Sequence, residues 1–459
     1  MFEQIGIIIV VNLLLYFNTL KYKFVSDDFS VFKNPPVFKN GWHKAWLRFI
    51  GATKLQSRSI RFLFLKGKLH IAIIKSEEFE HFIALVFHIL ICIAIYFAFG
   101  ASQISFIAAL LYSTNPVNNQ GTIWPGGRGY ALPILSLLTA IAVPCALPVL
   151  ILFCTSFTVG FLAPLALIGS GIDIGWLLFI PTCWLIHSTK FYKAVKTKHD
   201  TESFAEDKII HPKKLILAIK TFGFYTLLCI IPFRITFYHN FLQSSAGSMK
   251  HKNYTLCRYF WLGLLTMIGM ITYAVVVPWN TLTWALFAFA ITIAPFCNLV
   301  RANQEIAERF AALPNVFLMY ALAQILVNTG LTQLVVAFLV FYAVRTFYTL
   351  MMYKDEYFIT EVCVCEDPHA WWVWHCRAMK RWDTQSYKEA LILWAMARLI
   401  SPNEFKILIN LATCLRLLKN DQEADAFLLE AEKNIVPGQE KQAQSFLAAH
   451  RKGKLPILL

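Results

Sequence analysis

The chain has 459 residues, of which 57% are apolar and only 15% charged, and its mean hydropathy is +0.55. A water-soluble domain cannot carry so many apolar groups on its surface, so a soluble enzyme is excluded and a polytopic membrane protein is expected. The formal net charge of +15 would suggest nucleic acid in a soluble chain, but these cations gather beside apolar runs, which points to anionic lipid headgroups instead.

The first apolar run, 5–20, lacks a small-residue cleavage site and reads as a span, not a signal peptide. Directly behind it stand Asp27 and Asp28, at a membrane face. Such a pair has two readings: a helix N-cap ahead of Phe29, or a general base with a partner that orients a metal or a hydroxyl. The rest of the first loop, 21–80, interleaves Trp42, Trp46, Phe49, Phe62 and Phe64 with Lys44, Arg48, Arg58, Arg61, Lys66 and Lys68, the pattern of an amphipathic segment lying in the interface.

Further apolar runs follow at 81–99, 101–112, 130–147, 148–162, 165–186, 215–238, 257–277, 279–298, 315–327 and 331–351. With the first they predict an all-α transmembrane bundle of about 11 spans over 1–351. The loop carrying Lys190, Lys193, Lys196, Lys198, Lys208, Lys213 and Lys214 is the cytoplasmic candidate. Counting outward from it places 21–80, 115–129, 298–314 and the C-terminal domain on the other side. Asn253-Tyr-Thr255, also placed outside, matches an N-glycosylation acceptor, a tripeptide that recurs easily by chance.

Composition shifts near Met352, and 352–459 has a period of its own. Ala390, Trp394 and Ala397 recur thirty-four positions later as Ala424, Leu428 and Ala431, and Trp374 and Ala378 recur as Leu408 and Ala412. That is tetratricopeptide-repeat (TPR) spacing, in which small residues let antiparallel helices approach. It predicts repeats at 371–404 and 405–438, a partial leading repeat ending at 366, and a capping helix at 439–450. Most of the eleven cysteines lie in apolar runs; Cys363-Val-Cys365 in the tail has no second ligand pair beside it, so neither a zinc site nor a disulfide is expected.

Three polar islands fall on one side of this topology: Asp27-Asp28; 115–132, with Asn115, Gln120 and Arg128; and 301–314, with Arg301, Glu308 and Arg309. Ionisable residues beside spans mark sites or pathways more often than solvated turns. In order, Phe24-Val-Ser-Asp-Asp-Phe29 with Asn34-Pro35, Asn115-Pro-Val with Gly127-Arg128, Ala307-Glu-Arg-Phe310 with Leu313-Pro314, and the tail repeats resemble the transmembrane TPR protein O-mannosyltransferases and their bacterial relatives, members of the GT-C glycosyltransferase superfamily. The resemblance implies a multispanning enzyme that moves a sugar from a polyprenyl-phosphate donor, with inversion, to a hydroxyl outside the cytoplasm.

By that resemblance Asp27 or Asp28 is the base, Arg128 and Arg309 hold the donor phosphate with Arg301 as a third cation, and Asn115, Gln120 and Glu308 line the donor site. Members carry His where this chain has Asn115 and an acidic residue where it has Gln120, so neither position adds charge to a metal site. The residues therefore do not call for a metal, and a divalent cation at Asp27 and Asp28 is the one cofactor they leave open. The expected partners are membrane lipids, the lipid-linked sugar and a protein acceptor on the repeats, in a prokaryotic cytoplasmic (inner) membrane. Two alternatives stand beside this reading: a catalytically silent scaffold that holds a partner on its repeats, and a transporter, which the lack of an inverted repeat disfavours.

Overall fold

The computed structural model describes residues 1–26, 28, 77–155, 162–168, 170, 212–237, 239, 254–298, 306–435, 440–451, 453, 454 and 457. Asp27, Arg301, Asn253, Val436, nearly all of the first basic loop and the lysine-rich loop up to 211 lie outside these residues. Contacts divide the chain into two units, one comprising 1–187, 212–237 and 256–356, the other comprising 188–211, 238–255 and 357–459. The boundary at 356 falls five residues beyond the position read from composition.

The described part of the first unit holds helices α1 (Phe2–Tyr16), α2 (Glu77–Ala98), α3 (Gln103–Thr114), α4 (Ala131–Ala142), α5 (Ala146–Thr155), α6 (Pro212–Ile230), α7 (Arg258–Val276), α8 (Thr281–Ile293), α9 (Ala312–Asn328) and α10 (Thr332–Leu350). Among the described residues four segments are long and apolar enough to cross a membrane: Phe2–Lys21, Glu77–Ala98, Arg258–Val276 and Thr332–Tyr353. The runs read as spans at 101–112, 279–298 and 315–327 become shorter helices with separate roles.

Helix α9 shows why. It is apolar all round and buried along nearly its whole length, packed between α3 and α8, so it forms the centre of the unit. Helix α7 is the opposite case, with Trp261, Leu265, Ile268, Val275 and Val276 all exposed. An apolar face of that extent fits lipid, not water. Where α7 does touch α6, two glycines meet: a Cβ on Gly223 would lie 2.1 Å from the Tyr259 carbonyl oxygen, and one on Gly263 2.1 Å from that of Ile219. Only glycine at both positions lets the backbones come this close.

The described part of the second unit contains α11 (Glu356–Glu366), α12 (Trp371–Asp383), α13 (Tyr387–Ile400), α14 (Phe405–Leu417), α15 (Asp421–Lys433) and α16 (Glu440–Arg451). α12 packs on α13, α13 on α14 and α14 on α15. Ala378, Ala390, Ala397, Ala412, Ala424 and Ala431 are each wholly buried, and Trp394 and Leu428 fill matching places between helices. Trp374 differs from its counterpart Leu408: it is partly exposed, its indole N–H donating to the Pro368 carbonyl, whereas α14 is enclosed on all sides. Cys363 is buried and Cys365 exposed.

Candidate functional site

The segment 115–130 is the hub of the first unit. Pro116 and the glycines prevent a continuous helix, and the chain makes a short 3-10 turn (Pro116–Asn118), one π-helical turn (Asn119–Ile123) and a second 3-10 turn (Pro125–Tyr130). Backbone groups that leave the helical pattern and are buried must find their hydrogen bonds within protein. Here the polar side chains supply them, and nearly all are buried. Asn115 donates to the Cys229 carbonyl at the end of α6 (2.7 Å) and accepts from the Val117 N–H. Asn118 donates to the Tyr112 carbonyl and accepts from Asn315 of α9. Thr122 and His88 Nδ1 of α2 are 2.7 Å apart. Asn115 thus belongs to the frame that joins α3 to α6.

Asp28 is fully buried against this hub. Its Oδ2 accepts two bonds, from the Val25 N–H and from the Trp124 indole N–H, each at 3.0 Å. The first resembles half of a capping box, since the Asp28 N–H donates back to the Val25 carbonyl. The second ties the aspartate to a residue 96 positions away. Oδ1 has no well-formed hydrogen bond and sits against Gly126, where a Cβ would come within 2.9 Å of it. Burial pushes this carboxyl up to about 7, against the weaker opposing pull of Val25, Trp124, Gly126 and Arg128. Ser26, one turn before, holds φ at +52°, a left-handed conformation that is strained for serine.

Arg128 lies beside Asp28 and is wholly buried. Its guanidinium donates to the Glu80 carboxylate at 2.7 Å and to the Glu80 carbonyl at 3.1 Å. The charge expected to meet a donor phosphate is thus already balanced by a carboxylate from the first turn of α2. His81, next along α2, is buried with its ring edge-on to Tyr22.

No protein-family profile, curated protein or solved structure matches this chain. The site therefore rests on its own geometry.

The third island joins the same hub through the backbone. The Arg309 N–H donates to Gln120 Oε1 at 3.0 Å, and Glu308 Oε1 accepts the Thr236 N–H at 2.5 Å. The Arg309 side chain is only half-buried and its guanidinium stacks over Phe310. Gln120 and Glu308 are buried. Asp28, Gln120, Arg128, Glu308 and Arg309 are thus gathered around one segment, while Asn115 faces the α6 end and Asp27 and Arg301 lie outside the described residues. Among the described residues no group of three or more His, Cys, Asp or Glu side chains is arranged to hold a metal ion.

Chemically, a carboxylate with one oxygen fixed by two donors and the other packed against Gly126 has a defined orientation in which to hold a proton. A half-buried arginine joined to the same segment, Arg309, could supply a cation to an anionic group. Sequence reasoning missed Glu80 and Trp124, the residues that balance Arg128 and orient Asp28. Glu80 had a readable signal, an acidic residue at the start of a span; Trp124 had none.

Proposed function

We propose that this protein is an integral-membrane glycosyltransferase that transfers a sugar from a polyprenyl-phosphate carrier to an acceptor hydroxyl, on Ser or Thr of a protein, at the extracytoplasmic face. The observation that supports the reading is the state of Asp28: buried, held through one oxygen by Val25 and Trp124, packed at the other against Gly126, with burial raising its carboxyl to about 7. In the reaction Asp28, with Asp27 beside it in sequence, takes the acceptor proton as the hydroxyl oxygen attacks the anomeric carbon. The bond from that carbon to phosphate breaks, and the lipid phosphate leaves with the electron pair. Arg309 neutralises the leaving phosphate, while Arg128, paired with Glu80, sets the electrostatic surroundings of Asp28. The helical pairs of the second unit, read as tetratricopeptide repeats, offer a surface for an extended protein acceptor.

The test is the intact mass of secreted proteins from cells carrying wild type or the Asp27→Asn, Asp28→Asn double variant, paired with transfer from a synthetic polyprenyl-phosphate sugar to peptide in nanodiscs. Loss of both the glycoforms and the in vitro transfer is expected. Unchanged glycoforms overturn the proposal.

A second reading, a silent scaffold of the same architecture, is favoured by one observation: Asn115 and Arg128 are engaged with the Cys229 carbonyl and with Glu80. A scaffold would leave the membrane in detergent with a stoichiometric protein partner and would show no transfer in nanodiscs.

A further inference from the structure

Helices α6 and α7 cross at Gly223 and Gly263, where their backbones touch, and run antiparallel. From that pinch they separate toward the start of α6 and the end of α7. Helix α8 roofs the wedge that opens, leaving a cavity of about 440 Å³ lined by Leu215, Ala218 and Phe222 of α6, Met270 of α7, and Leu286 and Ala290 of α8, among others. The volume lies in the range of small-ligand sites.

The chemistry of the lining is one-sided. Thr283, Tyr273 and Cys297 bring its polar atoms, and each is engaged elsewhere: the Thr283 hydroxyl donates to Asn280 Oδ1, the Tyr273 hydroxyl accepts from Asn280 Nδ2, and Cys297 donates to the Ile293 carbonyl. The lining is therefore almost wholly apolar, and it suits an alkyl chain better than a polar occupant. Ile271 and Trp279 line it and are more than half exposed, on the same face of α7 that is too apolar for water. Its wide end carries the marks of a membrane interface: Trp279 and Tyr273 beside the α7–α8 turn, and Lys214 one residue before Leu215. From Leu215 to Phe222 the wedge extends roughly 10 Å along α6. An apolar slot with Trp279 and Tyr273 in its lining and a lysine one residue beyond it matches the polarity of a phospholipid.

The slot is also separate from the Asp28 site. Cys229 and Ile230, at the other end of α6, accept from Asn115 and Tyr342. Leu215 lies about 22 Å back along the helix axis from Ile230.

We propose that the α6–α7–α8 wedge is a phospholipid site, holding one acyl chain of an anionic lipid whose phosphate sits at Lys214, in the leaflet away from the Asp28 centre. The proposal does not depend on the glycosyltransferase reading.

The experiment uses the full chain in nanodiscs of phosphatidylglycerol doped with a diazirine-bearing phosphatidylglycerol, photolysed and digested. Crosslinks are expected to concentrate on α6–α8 peptides over the equally lipid-exposed α10 face of Val336, Val340 and Val344. In parallel, native mass spectrometry compares phosphatidylglycerol retained by wild type, Ala218→Trp and Ala290→Trp, with Val336→Trp as the control. Filling the wedge should weaken retention roughly tenfold, the equivalent of losing about two buried methylenes, and the control should match wild type. Evenly spread crosslinks, retention unchanged in both filled variants, or a polyprenyl phosphate found in the wedge would each overturn the proposal. Sugar transfer by the filled variants reports separately on the Asp28 centre. Crosslinking on wild type keeps the test decisive if the tryptophan variants fail to fold.

Discussion

Asp28→Asn should move stability and activity in opposite directions. Asn keeps the size and the acceptor oxygen that meets Val25 and Trp124, and it removes the buried charge. A carboxyl raised from 3.8 to about 7 binds its proton more tightly folded than unfolded, at about 1.4 kcal/mol per unit. Ionising it in the folded chain therefore costs about 4 kcal/mol above pH 7, an upper figure for a group this buried. The sign follows: wild-type stability falls as pH rises through the window from about 4 to about 7 and levels off above it. The variant lacks this dependence, so between pH 5 and pH 8 it should gain about 3 kcal/mol relative to wild type. Thermal unfolding in one detergent at the two pH values reads this out. Transfer should show the reverse. The wild-type rate should rise with pH to a plateau above about 7, and the variant should be slower by roughly 10²- to 10⁴-fold with no such limb. A variant that melts lower than wild type at pH 8 while transferring sugar at the wild-type rate would refute the assignment of Asp28 as base.

Removing Arg128 alone strands Glu80, so Arg128→Ala should lose roughly 3–5 kcal/mol, whereas the Glu80→Leu, Arg128→Met pair should recover most of it in a melting assay. Glu80→Gln removes the carboxylate charge 2.7 Å from Arg128 beside Asp28, and the pH–rate limb should shift toward acid. A Cβ on Gly127 would lie 1.9 Å from the Gln120 carbonyl oxygen while one on Gly6 meets nothing within 4 Å, so Gly127→Ala should abolish monodisperse protein on size exclusion and Gly6→Ala should leave it unchanged. In the second unit, Ala397→Leu should cost about 1–3 kcal/mol by overpacking, and Ile392→Ser, at a position 63% exposed, should leave the melting temperature of the full chain within a degree or so.

The second unit was readable because its signal is local: buried alanines recur at a fixed interval on helices whose neighbours are adjacent in sequence. In the first unit, hydropathy located apolar helices but could not separate those that face lipid from those that face protein. α7 and α9 have similar composition, yet one is exposed on most of its surface and the other is the core. The difference arises from contacts of α9 with α3 and α8, which no single-segment pattern records. The polar run 115–130 is where sequence and structure give different readings of the same residues. It looked like ligand-binding groups, and most of those groups satisfy the broken backbone and its neighbours. An asparagine that caps a distant carbonyl and one that binds a sugar are the same letter, and only the position of Cys229 distinguishes them.

What the hub contributes to Asp28 is immobility. If Asp28 is the base proposed above, a fixed orientation before substrate arrives is what makes it effective. Trp124, which holds Asp28, is itself packed edge-on to Phe237 and stacked with Tyr353. Thr236, beside Phe237, is anchored by Glu308, and the next residue, Arg309, returns to the hub through Gln120. The chain closes on itself: residue 28 to 124, 124 to 237, 236 to 308, 309 to 120. A chain of contacts that passes through every described island links Asp28 to Arg309, although 281 positions separate them. In such an arrangement the charge balance of Arg128 matters as much as its position. Were Glu80 absent, the adjacent guanidinium would hold Asp28 ionised and weakly basic; with Glu80 in place the pair is nearly neutral, and burial keeps the carboxyl near the pH at which it can both take and release a proton.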